Sequence, residues 1–99
     1  MNIEIKKRGA FYTPDDLANF MCKLSIKRST SHVLEPSYGD GLFIKHLQKH
    51  KKNFSIDAVE IDFKTYEESK KYFKNVNLVN EDFLCFEKKK EYDLIIGNP

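Results

Sequence analysis

Apolar positions along the chain follow two periods in turn, and the alternation between them outlines a fold. Leu17, Phe20, Met21 and Leu24 fall at i, i+3, i+4 and i+7. This predicts an amphipathic helix with that stripe facing the core and Cys22 and Lys23 pointing elsewhere. Its start is written in Thr13-Pro14-Asp15-Asp16: Thr as N-cap, Pro in the first turn, acids beside the positive end of the dipole. His32-Val33-Leu34-Glu35 is a short run ending at Pro36 and predicts a buried strand. The same reading predicts a helix over 42–51, a strand over 55–61 and a helix over 64–73 with Tyr66 and Phe73 on one side. Short strands over 77–79 and 93–96 complete it.

Strands alternating with helices imply a parallel sheet joined by right-handed crossovers. The expected class is α/β, a partial Rossmann-like sheet of about four mainly parallel strands with an N-terminal helix. The expected division is an arm and helix over 1–30, then the sheet domain over 31–99. Ligands on such sheets collect at the carboxyl ends of the strands. Here glycine and polar residues gather at those ends: 35–41, 60–62, 81–82 and 97–99.

Composition narrows the picture without redirecting it. With 40% hydrophobic and 13% aromatic residues the chain has the material for a core. A net charge of +2 is too small to argue nucleic-acid binding by itself, and the lysine runs near 49–52 and 88–90 read as solvated surface. No apolar run approaches the roughly 18 residues of a membrane span, so no membrane partner is expected. Cys22 and Cys85 lack a CxxC partner, and no apolar segment follows the basic start at Lys6-Lys7-Arg8. The expected location is the cytoplasm, with both thiols structural and at least partly buried. His46 and His50 have the spacing of a zinc helix, but Leu47 replaces the catalytic Glu of His-Glu-x-x-His, so no metal is expected.

Four segments carry candidate chemistry. In Glu35-Pro36-Ser37-Tyr38-Gly39-Asp40-Gly41 the glycines let backbone approach a ligand. Glu60, nineteen residues beyond Gly41, ends the second strand, where a carboxylate can accept from ribose hydroxyls. The pair points to an adenosine-bearing cofactor. Ile44 occupies the place of the third small residue that dinucleotide turns favour, and Glu35 and Asp40 would repel a diphosphate. The same acids suit an amino group and a sulfonium, so S-adenosylmethionine is the expected cofactor. In Asn80-Glu81-Asp82-Phe83 a carboxylate could accept from the adenine amino group while the ring covers its face. Finally, 93–99 delivers Asn98, an acceptor for an exocyclic amine, just before Pro99.

In this order the four segments resemble the motifs of the DNA adenine-N6 methyltransferases of restriction-modification systems, in the arrangement that puts the cofactor motifs first. Gly9-Ala10-Phe11-Tyr12-Thr13-Pro14 resembles the segment that precedes the glycine turn in those enzymes. The resemblance implies that Tyr12, Thr13, Glu35, Pro36, Ser37, Gly39 and Gly41 hold the methionine part of S-adenosylmethionine. It assigns Glu60 to the ribose, Ile61 to the adenine face, Asp82 and Phe83 to the adenine edge and face, and Asn98 with Pro99 to the target amine. DNA is the implied substrate, with a specificity or restriction subunit as a further partner.

The family motif continues with a second proline and an aromatic residue that stacks on the extruded base. This sequence has neither after Pro99, so the reading expects a chain broken off inside its catalytic motif and inactive alone. Alternatives are methylation of a protein glutamine or of adenine in RNA, or an inert remnant.

Overall fold

Four strands form one sheet: β1 (His32–Glu35), β2 (Ser55–Glu60), β3 (Val76–Asn80) and β4 (Leu94–Ile95). Their order is β3-β2-β1-β4 and every pairing is parallel. Among the described residues three helices accompany them: α1 (Asp15–Ser25), α2 (Leu42–His50) and α3 (Phe63–Ser69), with a 3-10 turn at Phe83–Cys85 between β3 and β4. The computed structural model describes residues 14–50, 53–88 and 90–97. The expected α/β class and four-stranded parallel sheet are therefore observed, and β1 has the predicted bounds.

The strand order reverses beside β1: β2 and β3 build outward on one side, and β4 returns to the other. Asp93 fixes that return. Its carboxylate accepts the N–H groups of His32 (3.0 Å) and Ser31 (2.9 Å), which hold it below the usual carboxylate range. Its own N–H donates to the His32 carbonyl. This clamp sets Val33 opposite Leu94 and Leu34 opposite Ile95.

The core lies between the sheet and the helices and contains Val33, Ile56 and Ala58 from the strands, Phe43, Ile44 and Leu47 from α2, and Ala18 and Cys22 from α1. The predicted inward face of α1 is corrected here. Leu17, Phe20 and Leu24 are exposed, Met21 is half-buried, and Ala18 and Cys22 are fully covered. Small side chains let α1 come close to α2: the Cys22 thiol reaches the Phe43 carbonyl at 3.7 Å. A ladder on the outer side joins the same helices, with His46 Nε2 2.9 Å from Asp15 and His50 Nε2 2.7 Å from Asn19. The two histidines thus face α1.

Thr13 lies outside the described residues. Pro14 stands at the N-cap without a side-chain cap, and its carbonyl accepts the Ala18 N–H. The predicted helix over 64–73 starts one residue earlier and stops at Ser69. Asp62 caps its start by accepting the Thr65 N–H. Ser69 donates back to the Tyr66 carbonyl and lies 2.6 Å from the buried Tyr38 hydroxyl, so Tyr38 is the donor in that pair. Phe73 then folds back onto the core. Cys85, expected to be at least partly buried, is exposed in the 3-10 turn, whereas Cys22 is buried and its thiol is pushed up to about 11 by desolvation and by Glu35. Among the described residues no helix is long and apolar enough to cross a membrane.

Both turn glycines have positive φ, Gly39 at 54° and Gly41 at 80°. A Cβ at Gly41 would overlap the Phe73 ring, whereas one at Gly39 would meet open space. Gly39→Ala should therefore cost only the left-handed backbone strain of about 1–2 kcal/mol. Gly41→Ala should add overpacking of about 1–3 kcal/mol. Urea denaturation of the two variants checks that ranking, and equal losses would show that Phe73 yields freely.

Candidate functional site

Chemistry-bearing residues meet where β1 and β4 separate, at the carboxyl edge of the sheet. Glu35 is the last residue of β1, and register puts Gly97 just beyond its level on the neighbouring strand. The contact is close: a Cβ on Gly97 would overlap the Glu35 carboxylate, so only glycine fits there without moving it. In open α/β sheets this crevice is the ligand position.

Glu35 is 1% exposed. Its Oε1 accepts the Ser37 N–H at 2.8 Å, and its Oε2 is buried with no partner among the described residues. A buried acceptor without a donor costs about 1–3 kcal/mol, which an incoming donor group would recover. Desolvation, opposed by the Ser37 hydrogen bond and reinforced by the charges of Glu60 and Asp40, raises its pKa from 4.5 to about 7. The three carboxylates make the turn locally negative, a setting that favours a cation.

Glu60 is also buried, yet both of its oxygens are engaged. Oε1 accepts the Gly39 N–H (2.9 Å) and Oε2 accepts the Asp62 N–H (2.8 Å). A carboxylate has about four lone-pair sites, so acceptor capacity remains for a ligand hydroxyl. Its predicted strand-end position is observed, but its first visible role is to tie the glycine turn to the loop after β2.

Ile61 stands 66% exposed directly after this strand end. Asp82 uses Oδ1 to accept the Leu84 N–H, and Phe83 is 41% exposed and stacked on Phe86 with 6.0 Å between ring centroids. These three therefore present surface at the ends of β2 and β3. Pro36 is half-buried and Ser37 exposed beside Glu35. The two glycines differ: Gly39 leaves open space, but the space at Gly41 belongs to Phe73, so its lack of a side chain serves packing. Tyr12, Thr13, Asn98 and Pro99 lie outside the described residues.

Two participants escaped the sequence reading as individual residues. Asn80, at the end of β3, donates through Nδ2 to the carbonyls of Glu60 (2.9 Å) and Ile61 (3.1 Å), clamping the strand end that carries both. Gly97 was read only as part of a polar strand end, yet it makes room for Glu35. Neither interaction has a periodic signature, since both join residues far apart in the chain. A separate cavity of about 560 Å³ lies under the 85–92 segment, where the Tyr92 hydroxyl donates to Asp57 at 2.6 Å. Lys90 lies 3.7 Å from the same carboxylate. Among the described residues no group of three or more His, Cys, Asp or Glu side chains could hold a metal.

No family model matches the chain. It is 36% identical over 98 residues to the type II methyltransferase M.AccI of Acinetobacter calcoaceticus, covering 95% of this chain and 18% of that protein. Other type II methyltransferases match at 31–36% identity. A polyamine aminopropyltransferase of Clostridium botulinum is 34% identical over 118 aligned positions, covering 95% of this chain and 42% of that one. The chain thus spans well under half the length of these relatives. Among solved structures, the plantazolicin methyltransferase BpumL in complex with SAH superposes with a TM-score of 0.67 at 18% identity, covering 82% of this chain and 33% of that one. The resemblance to methyltransferases seen in the motifs extends over nearly the whole chain, and the Rossmann-like methyltransferase fold is the fold observed.

Two consequences of the carboxylate geometry are measurable on the chain alone. Glu60→Gln retains one acceptor and turns an amide N–H₂ toward a backbone N–H, so it should lower stability by about 1–3 kcal/mol in urea denaturation. No loss would remove Glu60 from its linking role. For Glu35 the folded pKa lies above the ordinary value of 4.5, so the folded chain holds a proton that the unfolded chain gives up. Stability should fall as pH rises from about 4.5 to about 7, then stay level. Glu35→Gln should remove that slope and be the more stable protein at pH 8 but not at pH 4, as thermal melts at the two pH values would show.

Proposed function

We propose that this chain is the S-adenosylmethionine-binding part of a DNA adenine-N6 methyltransferase of a restriction-modification system. The observation that carries the reading is the buried Oε2 of Glu35, without a partner among the described residues, at the switch point of the sheet and close to the carboxylates of Glu60 and Asp40. Such an acceptor suits an ammonium, and the locally negative turn suits a sulfonium. Glu60 and the clamp from Asn80 put a carboxylate where ribose hydroxyls would lie, with the exposed Ile61 and Phe83 as apolar surfaces for a planar base. The bound donor would supply an electrophilic methyl on a positively charged sulfur. The chain's own part is to hold that donor: Glu35, Pro36, Ser37, Gly39 and Gly41 at the amino-acid end, Glu60 at the ribose, Ile61, Asp82 and Phe83 around the adenine. Tyr12 and Thr13 fall to the amino-acid end and Asn98 and Pro99 to the acceptor amine by sequence resemblance.

The relatives support this division. Type II methyltransferases and polyamine aminopropyltransferases, by their names, transfer different alkyl groups to different acceptors, yet each aligns with 92% or more of this chain. What they share over these residues is then best read as the donor half. The choice of DNA adenine rests on the sequence motif ending at Asn98-Pro99 and on the preponderance of type II methyltransferases. A specificity or restriction subunit would be a further partner, and the cytoplasm the place where DNA is met.

Calorimetric titration with S-adenosylmethionine tests the donor site. Saturable binding is expected, weakened about tenfold or more in Ile61→Asp, which puts a charge where the base face would rest. Unchanged affinity in that variant would remove Ile61 from the site. For the acceptor, a protein in which this chain is joined to an acceptor-binding half should move tritium from methyl-labelled donor to adenine in unmethylated DNA and not to a glutamine peptide or RNA. Label found in either of those instead would overturn the DNA assignment.

A further inference from the structure

We propose that Glu35 is a proton-exchanging acceptor that sets the donor site's preference for a cation: near neutral pH its carboxyl carries a proton in part of the empty chains and surrenders that proton when an ammonium docks. The inference rests on the donor-site reading and goes beyond it, because it states what happens to the charge of the site on binding.

The geometry supplies the argument. Glu35 is enclosed on every side that the described residues provide. Cys22 of α1 faces it, Asp40 lies in the turn, Glu60 ends the adjacent β2, and Gly97 from beyond β4 packs against it. None of these brings a positive charge, and two bring a negative one. Its only hydrogen-bond donor among the described residues is the Ser37 N–H on Oε1. An anion held with one neutral donor, an empty second oxygen and two neighbouring carboxylates is poorly stabilised, and taking up a proton relieves it. The rise to about 7, led by desolvation, has the sign this arrangement requires.

An ammonium at Oε2 reverses the balance. It supplies both the missing donor and the missing charge, so the carboxylate becomes the favoured form, and the reaction is carboxyl to carboxylate with one proton released to the buffer. Gly97 keeps this possible, since any larger residue there would displace the carboxylate. A neutral ligand draws out no proton and leaves the site uncharged. Discrimination by charge therefore operates through protonation as well as through direct attraction.

Calorimetry with S-adenosylmethionine, repeated at pH 6, 7 and 8 in buffers of different ionisation heat, counts the protons released. The Glu35→Gln chain serves as reference, because the ligand's own amine, with a pKa of about 7.7–8.0, contributes equally to both. Relative to that reference the wild-type chain should release about 0.9 proton at pH 6, about 0.5 at pH 7 and about 0.1 at pH 8. The ratio of wild-type to Glu35→Gln affinity should rise about tenfold between pH 6 and pH 8. Binding with equal proton counts in the two chains, or with a constant affinity ratio, overturns the proposal while leaving the donor site standing. A chain that binds no donor at any pH sinks both. Should Glu35→Gln fail to fold, carbon-13 NMR of the labelled Glu35 carboxyl in the free wild-type chain decides: a midpoint near 7 is expected, and one near 4.5 overturns the proposal.

Discussion

The N–H groups of Gly39 and Asp62 both donate to the carboxylate of Glu60, and through them one side chain links the end of β2 to the glycine turn after β1 and to its own following loop. Its backbone completes the junction. The Glu60 carbonyl receives the Glu81 N–H and the Asn80 amide, so the end of β3 is attached to the same residue. Tyr38 adds a parallel tie, its N–H going to the Val59 carbonyl and its hydroxyl to Ser69 on α3. Loops at the carboxyl edge of a parallel sheet have no ladder to hold them. Here their backbone donors are collected by a carboxylate and by strand-end carbonyls, which satisfies groups that burial would otherwise leave unpaired.

Glu35 and Glu60 end neighbouring strands and are the same residue type, but their hydrogen bonding sets them apart. Glu60 has an N–H on each oxygen and acts as a fixed anchor. Glu35 has one N–H, an empty oxygen and a raised pKa. The contrast separates two roles: a carboxylate with an N–H on each oxygen is held in place by its own chain and keeps only part of its acceptor capacity, whereas one left short has more to gain from a ligand. The proposed donor site therefore pairs a rigid anchor under the ribose with an unsatisfied acceptor at the charged end.

Much of this organisation was legible in the sequence. β1 ends where Pro36 follows an apolar run, and Glu35 and Glu60 stand at the strand ends where the sequence put them. The buried face of α1 was not legible, because periodicity fixes an angle while hydrophobicity favours the largest side chains. Contact between helices is decided by how closely they can approach, and that selected Ala18 and Cys22 over Leu17, Phe20 and Leu24. The packing role of Gly41 was not legible for a related reason. A turn glycine can make room for a ligand or for the protein, and only the return of Phe73 from beyond α3 shows that this one does the second. The couplings of Gly97 to Glu35 and of Asn80 to Glu60 join distant residues and leave no mark on any local pattern.

Among the described residues Ser37 holds Glu35, Gly39 and Asp62 hold Glu60, Asn80 clamps the Ile61 carbonyl and Asp62 caps the start of α3. Under the proposed function, a unit with such internal ties can serve different acceptor sites, in keeping with its similarity to both type II methyltransferases and polyamine aminopropyltransferases. Gly97 touches the Glu35 carboxylate and directly precedes Asn98 in the chain, so in the proposed function it joins the groups assigned to donor and acceptor. A side chain at Gly97 would have to displace the Glu35 carboxylate, the group on which the proposed donor site turns.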